Sequence, residues 1–482
     1  MDLMTADRKF VTASYDADIS PALKAFMREG WAPDPIPPTE PAEVAPYAAK
    51  RRDALSAAFT GRPIVVPTGL PRVRNDDTFY PFRPGSDFVW LTGELSPGAV
   101  LVMTPDADSP GTHVSTLFIR AAASRHDSEE FYRDRNYGEL WTGRRRGLAE
   151  TSAALGLPTR DLVELDEVLA GLSASGAVVR RGFDADVDGL ISPNADDAML
   201  ATTLSDLRLV KDDWEIAQLS DAVAASVQGF EDVVRELGNA RATSERWIDG
   251  TFWRRARVDG NDVGYTSIAA AGEHACVLHW THNDGPVRDG DLLLMDAGVE
   301  NRALYTADVT RTLPINGRFS EPQRRVYQLV YEAQTAALAA VKPGAHFRDY
   351  FRAAGEVMSR GLVGWGILPE SATDPDGPDA DLHRRYTLHG TGHMLGLDVH
   401  DCSKARKENY HDGVLKPGYV LTVEPGLYFQ TDDLTVPVEL RGIGVRIEDD
   451  VVVTQDGCRI LTEALPRDPD AVEAWMASLL QD

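Results

Sequence analysis

Asp296, Asp308, His393, Glu424 and Glu448, all in the C-terminal half of this chain of 482 residues, have the side-chain chemistry of a metal site. Four carboxylates and one imidazole are hard, oxygen-rich donors. They suit two adjacent divalent cations of the manganese, cobalt or zinc type better than a thiolate zinc centre would. Two such cations sharing a water lower its pKa towards neutrality from about 15.7 and turn it into a nucleophile. Water activation is the chemistry to expect.

The local pattern around each residue says how it is delivered. Asp296 ends the apolar run Leu292-Leu293-Leu294-Met295 and precedes Ala297-Gly298, which reads as a buried strand stopping at a turn. Asp308 opens Asp308-Val309-Thr310-Arg311-Thr312, whose alternation suits a returning strand, so the two form a hairpin. His393 sits in the block from His389 to Asp401, where Gly390, Gly392 and Gly396 argue against a helix and for close backbone approach. Glu424 follows the strand-like Tyr419 to Val423 and precedes Pro425-Gly426. In Gly444 to Asp450, period-two alternation puts Arg446 and Glu448 on one face, towards the site, and Val445 and Ile447 on the other.

Read in chain order, these segments resemble the pita-bread metallopeptidases, and most closely the aminopeptidase P family of Xaa-Pro aminopeptidases. The matching blocks are Leu278-His279-Trp280-Thr281, Asp296-Ala297-Gly298, Asp308 to Thr312, His389 to Asp401, Val423-Glu424-Pro425-Gly426-Leu427-Tyr428 and Arg441 to Asp449. A lone acidic strand end is more often a solvated turn, but the ordered series is specific. Arg74-Asn75-Asp76-Asp77, with Tyr80-Pro81 and Ser86 to Gly93, resembles the N-terminal domain of the same enzymes, so the likeness runs from about residue 47 onward.

The resemblance implies an α/β (α+β) fold: an N-terminal α/β domain, then a pita-bread catalytic domain whose two pseudo-symmetric halves, each helix plus antiparallel strands, curve one sheet around the metals. It implies that Asp308 and Glu448 bridge two divalent ions, with manganese the first choice, that Asp296 chelates one, and that His393 and Glu424 complete the other. Glu424 would also pass a proton from the nucleophile to the departing amine. His279, His389 and His400 match histidines that contact substrate or stabilise the tetrahedral intermediate. Arg446 and Tyr428 are placed to orient ligands. The span from Asp296 to Asp308 is one residue longer than the family pattern, which a hairpin loop absorbs. Trp90 falls one place after the position where relatives present a tryptophan to a neighbouring subunit's site. A one-residue strand offset reverses the face, so it is left out of the site. His282 is expected to face solvent and Asp449-Asp450 to form a solvated turn edge.

Composition narrows the partners. The net charge of -26, from 75 acidic and 49 basic residues, repels phosphate backbones and anionic lipid, so neither nucleic acid nor a membrane surface is expected. Cys276, Cys402 and Cys458 are too few and scattered for a disulfide framework, and there is no basic start with an apolar run behind it. A soluble cytoplasmic protein is the expectation.

The chain divides by pattern into an extension with a Pro-rich linker (1–46), an aminopeptidase P-like domain (47–203) and a catalytic domain (204–482). Pro33, Pro35, Pro37, Pro38 and Pro41 crowd the linker. Ahead of it Pro21 to Glu29 reads as a short helix or a flexible tail, and the chain from Tyr47 onward is expected to fold without it. Ile64-Val65-Val66, Phe88-Val89-Trp90-Leu91 and Val100-Leu101-Val102-Met103 read as strands, and Tyr137 to Leu155 as helical. Long amphipathic helices are predicted from about Asp212 to Leu237, and from an N-cap at Ser320 to a stop at Lys342-Pro343-Gly344.

The expected activity is removal of the N-terminal residue from peptides with proline second, by a homo-oligomer (dimer or tetramer) using a metal-activated hydroxide. Prolidase, which cuts only Xaa-Pro dipeptides, is the nearest alternative. A non-catalytic peptide-binding module of the same fold is disfavoured, because clustered carboxylates repel unless metal neutralises them.

Overall fold

A computed structural model describes residues 18–32, 39–126 and 128–480, so the linker prolines Pro33 to Pro38 lie outside the described residues. The chain separates into two compact units with the boundary between Leu207 and Arg208.

The first unit is built on a mixed five-stranded sheet. Its strands are β1 (Ile64–Pro67), β4 (Val100–Pro105), β5 (His113–Ile119), β6 (Thr159–Asp161) and β7 (Val178–Val179), in the order β6-β5-β4-β1-β7. A small hairpin, β2 (Val73–Asn75) and β3 (Thr78–Phe79), carries the Arg74 to Asp77 block. Ile64, Val65, Val66, Val100 and Leu101 are fully buried, as central strands of apolar residues must be.

The third apolar run is different. Phe88 to Leu91 is not a strand but the middle of a helix, Ser86–Thr92, every residue of which is buried. A short, uniformly apolar run carries no period, so its flanks decide. Gly93, at φ 73°, caps the helix by donating its N–H to Val89, and a Cβ there would strike Val44. The strand-face argument against Trp90 therefore lapses, since one residue along a helix turns a side chain by about 100° rather than reversing it. Trp90 is buried beneath the Arg51 guanidinium, 5.4 Å from its ring. The predicted helix from Tyr137 to Leu155 is two helices, Glu139–Thr142 and Leu148–Leu155, parted by Gly143 at φ 86°.

The N-terminal extension is helical at Pro21–Phe26, with the Ser20 side chain as N-cap. Beyond the helix, Trp31 packs edge-on against Phe131 at 5.6 Å, Ile19 and Met27 cover Ala123, Phe131 and Tyr132, and Lys24 meets Glu129 at 3.0 Å. This docking gives the extension a packing role beside the expectation that the chain from Tyr47 onward folds without it. A chain beginning at Tyr47 uncovers Phe131, and the expected result is a loss of about 2 kcal/mol or more in the N-terminal unit's stability with bound metal per chain unchanged. Calorimetry paired with metal analysis checks it, and an unshifted melting profile would show that the contacts are inert.

The second unit repeats one theme twice. The helices Asp213–Arg235 and Glu245–Asp259 lead into β8 (Asp262–Val263), β9 (Ile268–Ala271), β10 (Leu292–Asp296), β11 (Val299–Glu300) and β12 (Thr310–Pro314). The helices Glu321–Ala340 and Asp349–Gly364 lead, after a long irregular stretch, into β13 (Val420–Val423), β14 (Gly426–Tyr428), β15 (Gly444–Arg446), β16 (Asp449–Val453) and β17 (Cys458–Ile460). Asp212 and Ser320 cap the two long helices as capping boxes with Glu215 and Gln323.

The strands form short antiparallel ladders, β12-β10-β9, β13-β16-β17, β11-β8 and β14-β15. The two halves are stitched where Glu448 donates its N–H to Thr310 at 3.0 Å and Arg446 donates to the Thr312 hydroxyl at 3.1 Å. Phe230, Phe252, Leu293, Val326, Val330, Leu421 and Ile447 belong to one core shared by both halves. Among the described residues, no helix is long and apolar enough to cross a membrane.

Asp449 and Asp450 do not form a solvated edge. Both are fully buried at the start of β16. Asp449 receives Arg311 at 2.7 Å, Gln334 at 2.8 Å and Thr462 at 2.6 Å, and Asp450 accepts the Asp308 N–H at 3.1 Å. Asp449 is buried because distant donors satisfy it, and Arg311, itself inside a buried strand, had to find such a partner.

Candidate metal centre

Asp296 ends β10 opposite Thr310 of β12, so the hairpin brings Asp308, two residues before Thr310, back to the same sheet end. Tyr265 ties the pair together, its hydroxyl 2.7 Å from Asp296 Oδ1 and 2.5 Å from Asp308 Oδ1. The hairpin tip between them holds Leu304 in the left-handed region at φ 69°, with Asn301 Oδ1 accepting the N–H groups of Ala303 and Tyr305.

His393 arrives on an irregular loop pinned to β13, with Thr422 donating its N–H to His393 O and its hydroxyl accepting the His393 N–H. A Cβ at Gly392 would collide with Thr422 O at 2.0 Å, so only glycine allows this approach. His393 Nδ1 lies 3.1 Å from Met394 O, which orients the ring so that Nε2 faces Asp308 at 3.2 Å and Glu424 at 3.4 Å. Glu448 is almost fully buried and takes the Thr310 hydroxyl at 2.6 Å. Ligand atoms of Asp308, His393 and Glu448 lie within 4.8 Å of one another. The structure thus gathers Asp308, His393, Glu424 and Glu448, with Asp296 joined through Tyr265.

Arg446 lies along one side of this group. Its guanidinium donates to Asp296 Oδ2 at 2.6 Å, the Thr310 hydroxyl at 3.1 Å and the Tyr428 hydroxyl at 2.9 Å. Tyr428 in turn is 2.8 Å from His389 Nε2, while His389 Nδ1 is 2.7 Å from Gly390 O. Burial and the nearby Arg446 charge push His389 down to about 4, so it is a neutral imidazole with both nitrogens engaged. His400 is exposed, its ring edge-on to His393 at 4.4 Å. His279 is also exposed and lies within electrostatic range of both His389 and His400. His282 faces solvent.

The charge balance fits divalent metal. Burial raises the pKa of Asp296, partly opposed by Arg446 and reinforced by Asp308. Burial, opposed by the attraction of His393 and reinforced by repulsion from Asp308, lifts Glu424 to about 7, and burial plus three neighbouring carboxylates raises Glu448 well above the usual range. Burial opposes charging His393, yet its bond to Asp308 and the Glu424 charge raise it to about 9. Carboxylates so crowded hold protons they would surrender to a cation, and a bound ion reverses each of these shifts.

Sequence reading missed Tyr265 and Thr310. Thr310 had a signal, since it lies two residues after Asp308 on the same strand face. Tyr265 had none, because its partners are 31 and 43 residues away.

Residues 217–455 match the model of metallopeptidase family M24, and residues 47–179 match the aminopeptidase P N-terminal domain. Xaa-Pro aminopeptidase 2 of Streptomyces coelicolor is 55% identical over 95% of this chain and 97% of its own length. Xaa-Pro aminopeptidase 1 of the same organism is 52% identical over 96% and 93%. Among solved structures, aminopeptidase P from E. coli in its low-pH form superposes with a TM-score of 0.80 at 30% identity, covering 91% of this chain and 99% of its own. Aminopeptidase PepP of Pseudomonas aeruginosa gives 0.79 at 31%, covering 92% and 100%. With both family models in order and identity above half across nearly the whole chain, the protein belongs to the aminopeptidase P branch of the pita-bread metallopeptidases.

Proposed function

We propose that this chain is a metal-dependent Xaa-Pro aminopeptidase that hydrolyses the bond between an N-terminal residue and a following proline. The observation that carries the reading is the convergence of Asp308, His393 and Glu448 within 4.8 Å, with Glu424 3.4 Å from the His393 ring, in a chain 55% identical to a Xaa-Pro aminopeptidase. Membership of a metallopeptidase family implies divalent metal ions. The number, two, and the identity, manganese, are part of the proposal, supported by the four-carboxylate, one-imidazole donor set. When bound, the ions supply Lewis-acid activation of water and of the scissile carbonyl.

The residues of this chain have separate tasks in that reading. Asp308, Glu448, Asp296, His393 and Glu424 would together hold the ions, with Asp308 and Glu448 shared between them. Glu424 accepts the proton of the attacking water and returns it to the proline nitrogen as the bond breaks. Arg446 fixes Asp296 and, through Tyr428, the ring of His389, while exposed His279 and His400 are free to meet the peptide. Domains at 47–203 and 204–482, with the extension at 1–46, belong to the same proposal, as do a homo-oligomer (dimer or tetramer) and the cytoplasm. The three free thiols Cys276, Cys402 and Cys458 fit a reducing compartment.

The names of the relatives favour an aminopeptidase over a prolidase. A dipeptidase must clamp the proline carboxylate, whereas an aminopeptidase leaves that end of the cleft open. Xaa-Pro-Xaa tripeptides should therefore be cut between the first two residues, and acetylation of the amino terminus should stop the cut. Hydrolysis confined to Xaa-Pro dipeptides would make it a prolidase instead.

A further inference from the structure

Asp401 closes the loop that brings His393 and His400 to the metal centre, and its carboxylate is held by two buried cations. Lys211 Nζ donates to Oδ2 at 2.7 Å and Arg208 donates to Oδ1, with Lys211 and Asp401 side chains only 1% exposed. Arg208 ends the helix Asp197–Arg208, and Lys211 lies in the short segment between it and the helix Asp213–Arg235. That segment is anchored in turn, since Lys211 Nζ also donates to Arg208 O at 2.7 Å and the Lys211 N–H to Gly418 O at 2.8 Å. Burial opposes charge on Asp401, but Arg208 and Lys211 outweigh it and hold the carboxyl down at about 2. Ions this deeply buried carry a large desolvation penalty, which an apolar cluster would avoid.

The geometry points to what the ions accomplish. The Asp401 N–H donates to Met394 O at 2.9 Å, so the clamp closes the loop on the residue next to His393. Inside the loop, a Cβ at Gly396 would meet the Asp401 carboxylate at 2.4 Å and Lys211 Cε at 2.9 Å. Gly396 O accepts the Thr306 N–H at 3.0 Å, which ties the same loop to the strand approach of Asp308. Cys402, immediately beyond, sits at φ 58°, a left-handed turn that carries the chain away from the site. His400 is bonded directly to Asp401, and its exposed ring has the edge-on contact with His393.

We propose that Asp401, gripped by Lys211 and Arg208, is a positioning residue that fixes where the His400 ring meets the bound peptide. The proposal rests on the reading of His400 as a substrate-contacting group. Asp401 itself reaches neither metal nor peptide and acts only through the loop.

The test is a double-mutant cycle on the metal-loaded full chain, with kcat and KM measured on a Xaa-Pro-Xaa peptide beside metal content and melting temperature. Asp401→Asn should lower kcat by up to about tenfold per metal-loaded molecule, no more than His400→Ala does, with KM moving less than about twofold. In a His400→Ala background the same change should cost less than about twofold, because the ring it positions is gone. A merely structural role would cost the same factor in both backgrounds, and that result would overturn the clamp. If Asp401→Asn does not fold, Lys211→Met, which leaves Arg208 on the carboxylate, should give a loss of about fivefold with the same collapse in the His400→Ala background. A wild-type chain that leaves the peptide uncut would overturn the functional reading and the proposal with it, whereas equal losses in an active wild type sink the clamp alone.

Discussion

Asp308→Asn should release metal and lose turnover together, with kcat down by about a hundredfold or more. Asp308 is the carboxylate that joins the hairpin side of the site to the histidine loop. Its Oδ2 is 3.2 Å from His393 Nε2, its Oδ1 takes the Tyr265 hydroxyl, and its own N–H is spent on Asp450. Asparagine keeps the size and the backbone bond but removes the charge, so a ligand of the proposed metal centre becomes a neutral, weaker donor. Because burial and mutual repulsion raise Glu448 and Glu424 in the absence of cations, removing one charge relieves the metal-free protein. The variant's metal-free melting temperature should match or exceed that of the metal-free wild type, which separates loss of metal from misfolding. Metal analysis of the purified variant beside its kcat checks the claim. Undiminished hydrolysis by Asp308→Asn, or full wild-type activity after exhaustive chelation, would sink the assignment.

The settings of Asp296 and Glu424 were legible because each carboxylate ends an apolar run that only a buried strand explains. Leu292 to Met295 before Asp296 and Val420 to Val423 before Glu424 are strands that end at the site, and Ser320 and Asp212 mark the starts of the two long helices. Where local pattern and burial part company, the reading failed. Phe88 to Leu91 is apolar throughout, so period could not separate strand from buried helix, and Gly93 at positive φ decided for helix. Asp449 looked like a turn because its partners Arg311 and Gln334 are 138 and 115 residues away. Tyr265 was invisible for the same reason. Long-range satisfaction of buried polar groups is written in three dimensions, and a local pattern shows only that a group is polar.

Glu424→Gln tests the other end of the reaction, where a proton must be taken up and given back. Glu424 is half-buried, with Oε1 3.4 Å from His393 Nε2 and 3.2 Å from the Thr422 hydroxyl, and Oε2 3.7 Å from His389 Nδ1. Those contacts hold the carboxylate between His393 and His389. An amide fits the same space, keeps the Thr422 bond through its oxygen, and cannot accept a proton at working pH. General acid-base assistance is worth about a hundredfold to ten-thousandfold, so kcat should fall by at least the lower figure, with KM much less affected. His400→Ala removes an exposed ring that touches His393 only by its edge, and its loss should be the smaller by an order of magnitude or so. The comparison is run on one tripeptide with both variants loaded to the same metal content, so that weaker ligation by the amide is not mistaken for lost proton transfer. Equal losses in kcat at matched metal would mean that Glu424 serves only as a ligand and that the proton travels by another group.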